Sequence, residues 1–296
     1  RWRRRRPPFF RLLPSCGPAS VRARPIAPAK LGSLVGCPPR QRIVRFCFSS
    51  SLQWWPIASV VEGQRLCGRF TLRTNSAAWC QQFLPNLDPA HWPPSEPPRY
   101  NIAPTQKIPC VLRESTGADR NVVAMRWGLV PPWAEDLAIG NRMINARCET
   151  VDQKPSFRKA FASRRCLIPA DGYFEWQKTS DGKQPYLIEL AAGGVFAMAG
   201  LWEQNRKASG DGTTLLSCTV ITTEANRTTR QVHDRMPVIL DSEQFDRWLD
   251  PGFRDAETLK GMLHSAPENL LELTPVSRHV NNPRNDDARC VSPLAD

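Results

Sequence analysis

The sequence predicts an α+β fold built on a curved, mostly antiparallel β-sheet. Three observations predict it. Strand-like runs outnumber helical ones. The helical runs interrupt the strands irregularly, instead of alternating with them as a doubly wound sheet requires. Several strand-like runs follow one another across short turns, as antiparallel neighbours do. The chain shows no internal repeat.

Taken in order, residues 68–73 open as a strand, and 76–84 read as a short helix packing Trp79 and Phe83. Proline-rich 91–98 is a loop. Residues 122–129 alternate like a strand and stop at Pro131-Pro132, and 142–146 is short and apolar. Phe157 and Phe161, four apart, mark a helix over 154–163. Residues 166–168 and 172–177 read as paired strands, and 186–190 with 195–202 as a hairpin around 191–194. The β-branched run 217–222 is a strand, after which Thr223 is expected to cap a helix over 224–231. Ser242 with Phe245, Trp248 and Leu249 predicts a capped amphipathic helix, 256–264 another, and 272–276 a last strand. Trp176, Trp202 and Trp248 are expected in the core.

Charge divides the chain. Residues 1–66 hold thirteen Lys and Arg and one acid, Glu62, so they carry the whole net charge of +12. Residues 67–296 balance 27 basic against 27 acidic groups. The high pI therefore says nothing about partners, and any nucleic-acid site must be a local patch. No methionine precedes Met125, and composition changes at Leu66-Cys67. A leucine codon can start translation in bacteria, and removal of that first residue would leave Cys67 as the terminus. Residues 1–66 are thus expected to be upstream sequence or a removed leader without a packed fold, a basic arm being the other reading. Residues 67–296 are expected to form one domain or two small ones. No run of eighteen apolar residues suggests a membrane span. The seven cysteines from Cys67 onward show no CxxC pair, which fits a reducing cytoplasm. His91, His233, His264 and His279 have no ligand-like neighbours in sequence, so no metal site is expected.

Six segments carry the chemistry: Cys67-Gly68-Arg69-Phe70; Arg99-Tyr100-Asn101-Ile102-Ala103-Pro104-Thr105; Arg126-Trp127-Gly128-Leu129-Val130-Pro131-Pro132-Trp133; Asn145-Ala146-Arg147-Cys148-Glu149; Gly172-Tyr173-Phe174-Glu175-Trp176; and His233-Asp234-Arg235-Met236-Pro237. In this order, with the tail Pro275-Val276-Ser277-Arg278 and Val280-Asn281, they resemble the SRAP family, the SOS response-associated peptidases or abasic-site-processing proteins. The resemblance covers nearly all of 67–296. It departs at the N-terminus, where the family places cysteine directly after the initiator methionine and this sequence has Leu66.

The resemblance implies a single SRAP-like domain whose sheet curves into a barrel-like core with flanking helices. It implies an enzyme of the DNA-damage (SOS) response that crosslinks itself to abasic sites in single-stranded DNA. It also implies autopeptidase activity, of hydrolase or lyase type, that exposes the cysteine. An open abasic sugar presents an aldehyde; an α-amine forms a Schiff base with it, and a thiol on the same residue closes a thiazolidine. Only a terminal cysteine has both groups, and an α-amine pKa of about 7.7–8 leaves a neutral fraction near pH 7. By resemblance Cys67 is the nucleophile, Glu175 shuttles protons, His233 assists as acid and base, and Asn145 positions the reacting terminus. Phe174 and Trp176 flank Glu175 and would desolvate it. Arg147 shares a face with Asn145 on a strand and can clamp a phosphate, as can Arg69. Trp127, Trp133 and the Pro104-Thr105 turn can wall a site for unstacked bases, with at least one of the two tryptophans expected in the core. Arg164-Arg165 could extend the phosphate track, and Cys148 reads as a small filler.

Judged singly, each residue also has a bland reading: a surface strand glutamate, a backbone-bonded histidine, a turn asparagine, core tryptophans, solvated arginines. Two other functions remain open on the residues: a thiol peptidase using Cys67, His233 and Asn145, and a non-catalytic single-strand-binding module. The expected partner is single-stranded DNA with abasic sites, met at the nucleoid; no cofactor, metal or membrane is expected, and the default state is a monomer.

Overall fold

The computed structural model describes residues 68–92, 96–210 and 212–294. Cys67 and the boundary expected beside it lie outside the described residues. The strands are β1 (Arg69–Leu72), β2 (Arg99–Ile102), β3 (Lys107–Leu112), β4 (Asn121–Trp127), β5 (Asn145–Arg147), β6 (Arg165–Ala170), β7 (Gly172–Thr179), β8 (Gly182–Leu190), β9 (Phe196–Asn205), β10 (Leu215–Glu224), β11 (Arg235–Pro237), β12 (Ile239–Leu240) and β13 (Leu271–Pro275). Four short helices accompany them: α1 (Ser76–Phe83), α2 (Arg158–Ser163), α3 (Phe245–Leu249) and α4 (Ala256–Gly261).

Two sheets share these strands. One runs β13-β8-β7-β1-β2 and is antiparallel throughout. In the other, β4, β3, β6, β9 and β10 bond in a closed ring, because β10 pairs with both β9 and β4. Closure removes the open edges of a small sheet. Only the pairings of β10 with β4 and β5 are parallel. The α+β class and the mostly antiparallel, barrel-like sheet are as the sequence predicts.

Burial follows. All six residues of β6 are buried, as a strand covered on both faces requires. Phe70 on β1 meets Trp127 on β4 edge-on at 5.2 Å, joining the two sheets in one core. A smaller core of Phe174, Leu187, Val276, Val280 and Cys290 lies under the C-terminal segment. Helix α1 buries Ser76, Trp79, Cys80 and Phe83, and Asn75 caps it by accepting from Ala77 N at 2.8 Å. The six described cysteines are free thiols.

Four expectations are corrected. First, β6 and β7 do not pair: β6 bonds β3 and β9, whereas β7 bonds β1 and β8. The chain changes sheets at buried Asp171, whose carboxylate accepts from Thr71 Oγ1, Arg73 N and Thr74 N, and whose N–H bonds Thr71 O. A Cβ on the next residue, Gly172, would lie 2.9 Å from Leu187 Cδ1, so a side chain here would displace its neighbours on β8. Second, β8 and β9 are no hairpin. Gly193 and Gly194 take positive φ and reverse the chain, but the two strands enter different sheets. Third, Thr223 lies in β10, opposite Met236, and caps nothing. The expected helix reduces to one 3-10 turn, Thr229–Gln231. Asn226 holds this loop, accepting from Thr229 N and donating to Ala266 O. Fourth, Ser242 is no cap: it opens a 3-10 turn, Ser242–Gln244, that leads into α3 and is itself capped by Asp241, whose N–H donates to Gln244 Oε1 at 3.1 Å. The runs β2 and β3, unread in the sequence, flank the 103–106 turn and belong to different sheets.

Candidate active site

Strand β7 sets the site. Phe174 is buried under the C-terminal segment, and Glu175, on the opposite face, is also buried, at 2% exposed, with the 229–233 turn tied to its side of the strand. Gln177, two residues along the same face, donates from Nε2 to Gln231 O at 2.8 Å and ties this turn to β7. His233 ends the turn, with its N–H bonded to Thr229 O. Arg235 N approaches His233 Nδ1 at 3.1 Å and Asp234 Oδ1 lies 2.9 Å from the same atom. Both neighbours meet Nδ1, which leaves Nε2 for a ligand. Glu175 and His233 line one cavity of about 270 Å³ with Arg69, Trp176, Lys178, Lys183 and Asn281.

Three of the six sequence segments, 126–133, 145–149 and 233–237, are joined through β10, and the other three lie on β1, β2 and β7 of the other sheet. The first half of β10 bonds β9 and β4; its second half bonds β5 and β11. Asn145 therefore sits opposite Val220, and Arg235 opposite Glu224. Arg235, 8% exposed, closes the arrangement: its guanidinium pairs with both oxygens of Glu149 and donates from Nη2 to Thr222 O at 2.8 Å. This pairing holds the Glu149 carboxyl below its ordinary pKa, the Arg235 hydrogen bonds being the largest cause. The segments 145–149 and 233–237 are thus clamped across one strand.

The expected site residues separate in space. Glu175, His233 and Arg69 meet at the cavity; Asn145 and Arg147 lie on β5 and do not line it. Arg147 is exposed. The Arg69 guanidinium is already engaged: Nη1 donates to Asn101 Oδ1 and Val280 O, both at 2.9 Å, and Nη2 to Asn281 O at 3.3 Å. Burial lowers its pKa. Trp127 is corrected outright. It is a core residue, 1% exposed, with Nε1 donating to Ile144 O at 2.9 Å, and cannot stack a base. Trp133 is 55% exposed. Pro104 and Thr105 form the turn by which the chain passes from β2 to β3. Thr105 is the one non-glycine at positive φ (76°) among the described residues, and Gln106 Oε1 braces the turn by accepting from Ala103 N and Arg99 Nη2.

Three further readings change. Arg165 is buried and donates to the carbonyls of Phe161, Trp248 and Phe253, and Arg164 pairs with buried Glu203, so the pair forms no phosphate track. Trp176 is half-buried and walls the cavity, whereas Trp248 is core, Trp202 half-buried and Cys148 buried. His279 does have ligand-type neighbours: it converges with Asp287 and Cys290, their ligand atoms within 4.8 Å of one another. Arg289 already binds that Asp287 carboxylate through Nε and Nη2. Lys178, Lys183 and Asn281 were not singled out from the sequence. The pairing of Lys178 with Lys183 across the β7–β8 turn is the signal that could have grouped the lysines, whereas strand alternation alone sets Lys178 on the face opposite Glu175. No helix among the described residues is long and apolar enough to cross a membrane.

Comparison with known proteins shows relatives and a shared fold. The abasic site processing protein YoqW of Bacillus subtilis (strain 168) is 40% identical over 227 residues, covering 76% of this chain and 99% of that protein. The abasic site processing protein HMCES of Xenopus tropicalis is 32% identical over 225 residues, 67% of this chain and 66% of its own. Among solved structures, a phage-related protein from Bordetella bronchiseptica superposes with a TM-score of 0.57 at 27% identity, covering 71% of this chain and 94% of that one. A Bacteroides thetaiotaomicron protein shares the fold at a TM-score of 0.64 and 24% identity, over 77% of this chain and all of its own. The pattern of one family model, SOS response associated peptidase (SRAP), runs through residues 66–283, across both sheets and every wall of the cavity, and the chain belongs to that family.

Proposed function

We propose that this protein captures abasic sites in single-stranded DNA through a covalent bond to Cys67 once that residue is the chain terminus. The observation that carries the reading is the shared cavity of buried Glu175, His233 and three cations, in a chain whose relatives are named for abasic site processing. The amine of Cys67 attacks the aldehyde of the opened sugar and loses water to give an imine. The thiol then adds to the imine carbon, its proton passing to nitrogen, and a thiazolidine results with no oxidant or reductant. Glu175 moves protons in both steps, and His233 Nε2 serves as the second acid and base. Asn145 positions the terminus. Arg69 gives the cavity positive charge, and Arg147 clamps a flanking phosphate. Trp133, Pro104 and Thr105 receive unstacked bases. The same Cys67, Glu175 and His233 remove residues preceding the cysteine. The protein acts in DNA damage repair, as a monomer and without a metal.

The test is incubation with abasic and intact oligonucleotides, followed by denaturing electrophoresis. A heat-stable shifted species should form with the abasic strand alone, disappear in Cys67→Ser and slow in Glu175→Gln. Salt-sensitive binding to both strands with no covalent species sinks the reading in favour of a binding module, and cleavage of an unrelated peptide favours a general peptidase. Intact mass separates the processing step: Glu175→Ala protein that still begins at Cys67 means an external peptidase exposes it.

A further inference from the structure

Asn281 lines the cavity, yet none of the roles above uses its side chain. A neighbour fixes its amide: Trp176 Nε1 donates to Asn281 Oδ1 at 2.7 Å. An indole N–H only donates, so the amide oxygen must face it, and the amide's orientation is settled by chemistry. The Nδ2 group, with two N–H donors, is left over and donates to nothing among the described residues.

The backbone at this point is held firmly. Arg69 donates to Val280 O and Asn281 O, and Asn101 Nδ2 contacts Val280 O and Asn282 O, each at 3.1 Å. Asn101 is itself fully buried, and Asp286 pins β2 by accepting from Arg99 Nε, Tyr100 N and Asn101 N. The leftover donors therefore stand at a fixed place on the cavity wall. Arg69, Lys178 and Lys183 line the same space against one carboxylate, Glu175, so the cavity favours an anion. A preorganised amide donor among cations suits a charged oxygen.

We infer that Asn281 is a substrate-binding residue whose Nδ2 donates to a non-bridging phosphate oxygen next to the captured sugar. The inference rests on the abasic-site reading above. It assigns the C-terminal segment a direct part in holding the DNA strand.

The experiment compares crosslinking rates of the full protein, Asn281→Leu and Asn281→Asp at subsaturating DNA. Two abasic oligonucleotides are used, one with natural phosphates and one with neutral methylphosphonates flanking the lesion. Asn281→Leu deletes the donors; Asn281→Asp keeps an oxygen for Trp176 but replaces the donors with charge. On the natural strand Asn281→Leu should slow capture about tenfold, the order of one hydrogen bond to a charged group. Asn281→Asp should slow it further. On the neutral strand Asn281→Leu and the parent should converge, and at saturating DNA their rates should agree. Asn281 is exposed, so both variants should fold, which thermal melting checks. Asn281→Leu matching the parent on natural DNA, or losing the same factor on both strands, overturns the assignment. If the parent itself forms no heat-stable species with abasic DNA, the abasic-site reading fails first; if it does and the variants equal it, only the role of Asn281 fails.

Discussion

At the scale of single residues, two contacts decide whether the site assembles. Gly128 and Gly140 touch through their backbones: a Cβ on either would stand 2.6 Å from the carbonyl oxygen of the other, and Gly128 also has φ +116°. Their contact seats the loop that carries exposed Trp133 against the strand that carries buried Trp127. Gly140→Ala should cost about 1–3 kcal/mol, the usual range for overpacking, read as a lower denaturation midpoint. An unchanged midpoint would show that the loop yields. The second contact is Glu149 with Arg235. The Glu149 carboxyl has its pKa depressed in the folded chain, so its contribution is present above the ordinary value of 4.5 and fades as pH falls through the lower folded value. Glu149→Gln should therefore be less stable than the parent at pH 7, and the gap should close in acid below pH 4.5. A gap that persists unchanged at pH 2–3 would mean that packing, not charge, holds Arg235, since an ordinary carboxyl is protonated at about that pH.

At the scale of elements, the C-terminal segment matters more than its irregular backbone suggests. It lacks a long helix or strand after β13, yet Asn101 Nδ2 reaches the carbonyls of Val280, Asn282 and Asn285, and Val276, Val280 and Cys290 bury against Phe174. Backbone carbonyls that no ladder satisfies are satisfied here by the buried Asn101 amide, joined at Val280 O by Arg69. Asn101→Ala should strip those partners and cost about 2–4 kcal/mol, roughly one or two unsatisfied buried groups. Hydrogen exchange over 278–286 should quicken before the barrel strands respond. Uniform quickening across the chain would instead mean that segment and barrel open together. Element pairing also explains the misread β6–β7 and β8–β9 connections. A turn signal reports that the chain reverses; the free edges of other strands decide which strand it then bonds.

At the scale of the whole molecule, charge is local. Residues 67–296 balance basic and acidic groups, so attraction for DNA must come from a few cations: Arg69, Lys178 and Lys183 at the cavity, and exposed Arg147 on β5. Binding of residues 67–296 to intact single strands should then fall with salt at a log–log slope of about −3, from about −0.7 per contact. A slope twice as steep would require a cationic track beyond these four. The YoqW relative is matched over 99% of its length by three quarters of this chain, so the matched part corresponds to a whole protein elsewhere. By itself the sequence determined the α+β class, most of the strands, the order of the six segments and, through them, the family. Those properties are written in periodicity and in local residue strings, which a single chain displays directly. Tertiary structure alone decided that Trp127 is core and Trp133 exposed, that Arg69 is spent on carbonyls 211 residues away, and that Asn281 faces Glu175 and His233 across one cavity. Burial and pairing of this kind depend on which strands bond in each sheet and on where the C-terminal segment packs, and these bring together residues whose spacing along the chain carries no trace of it.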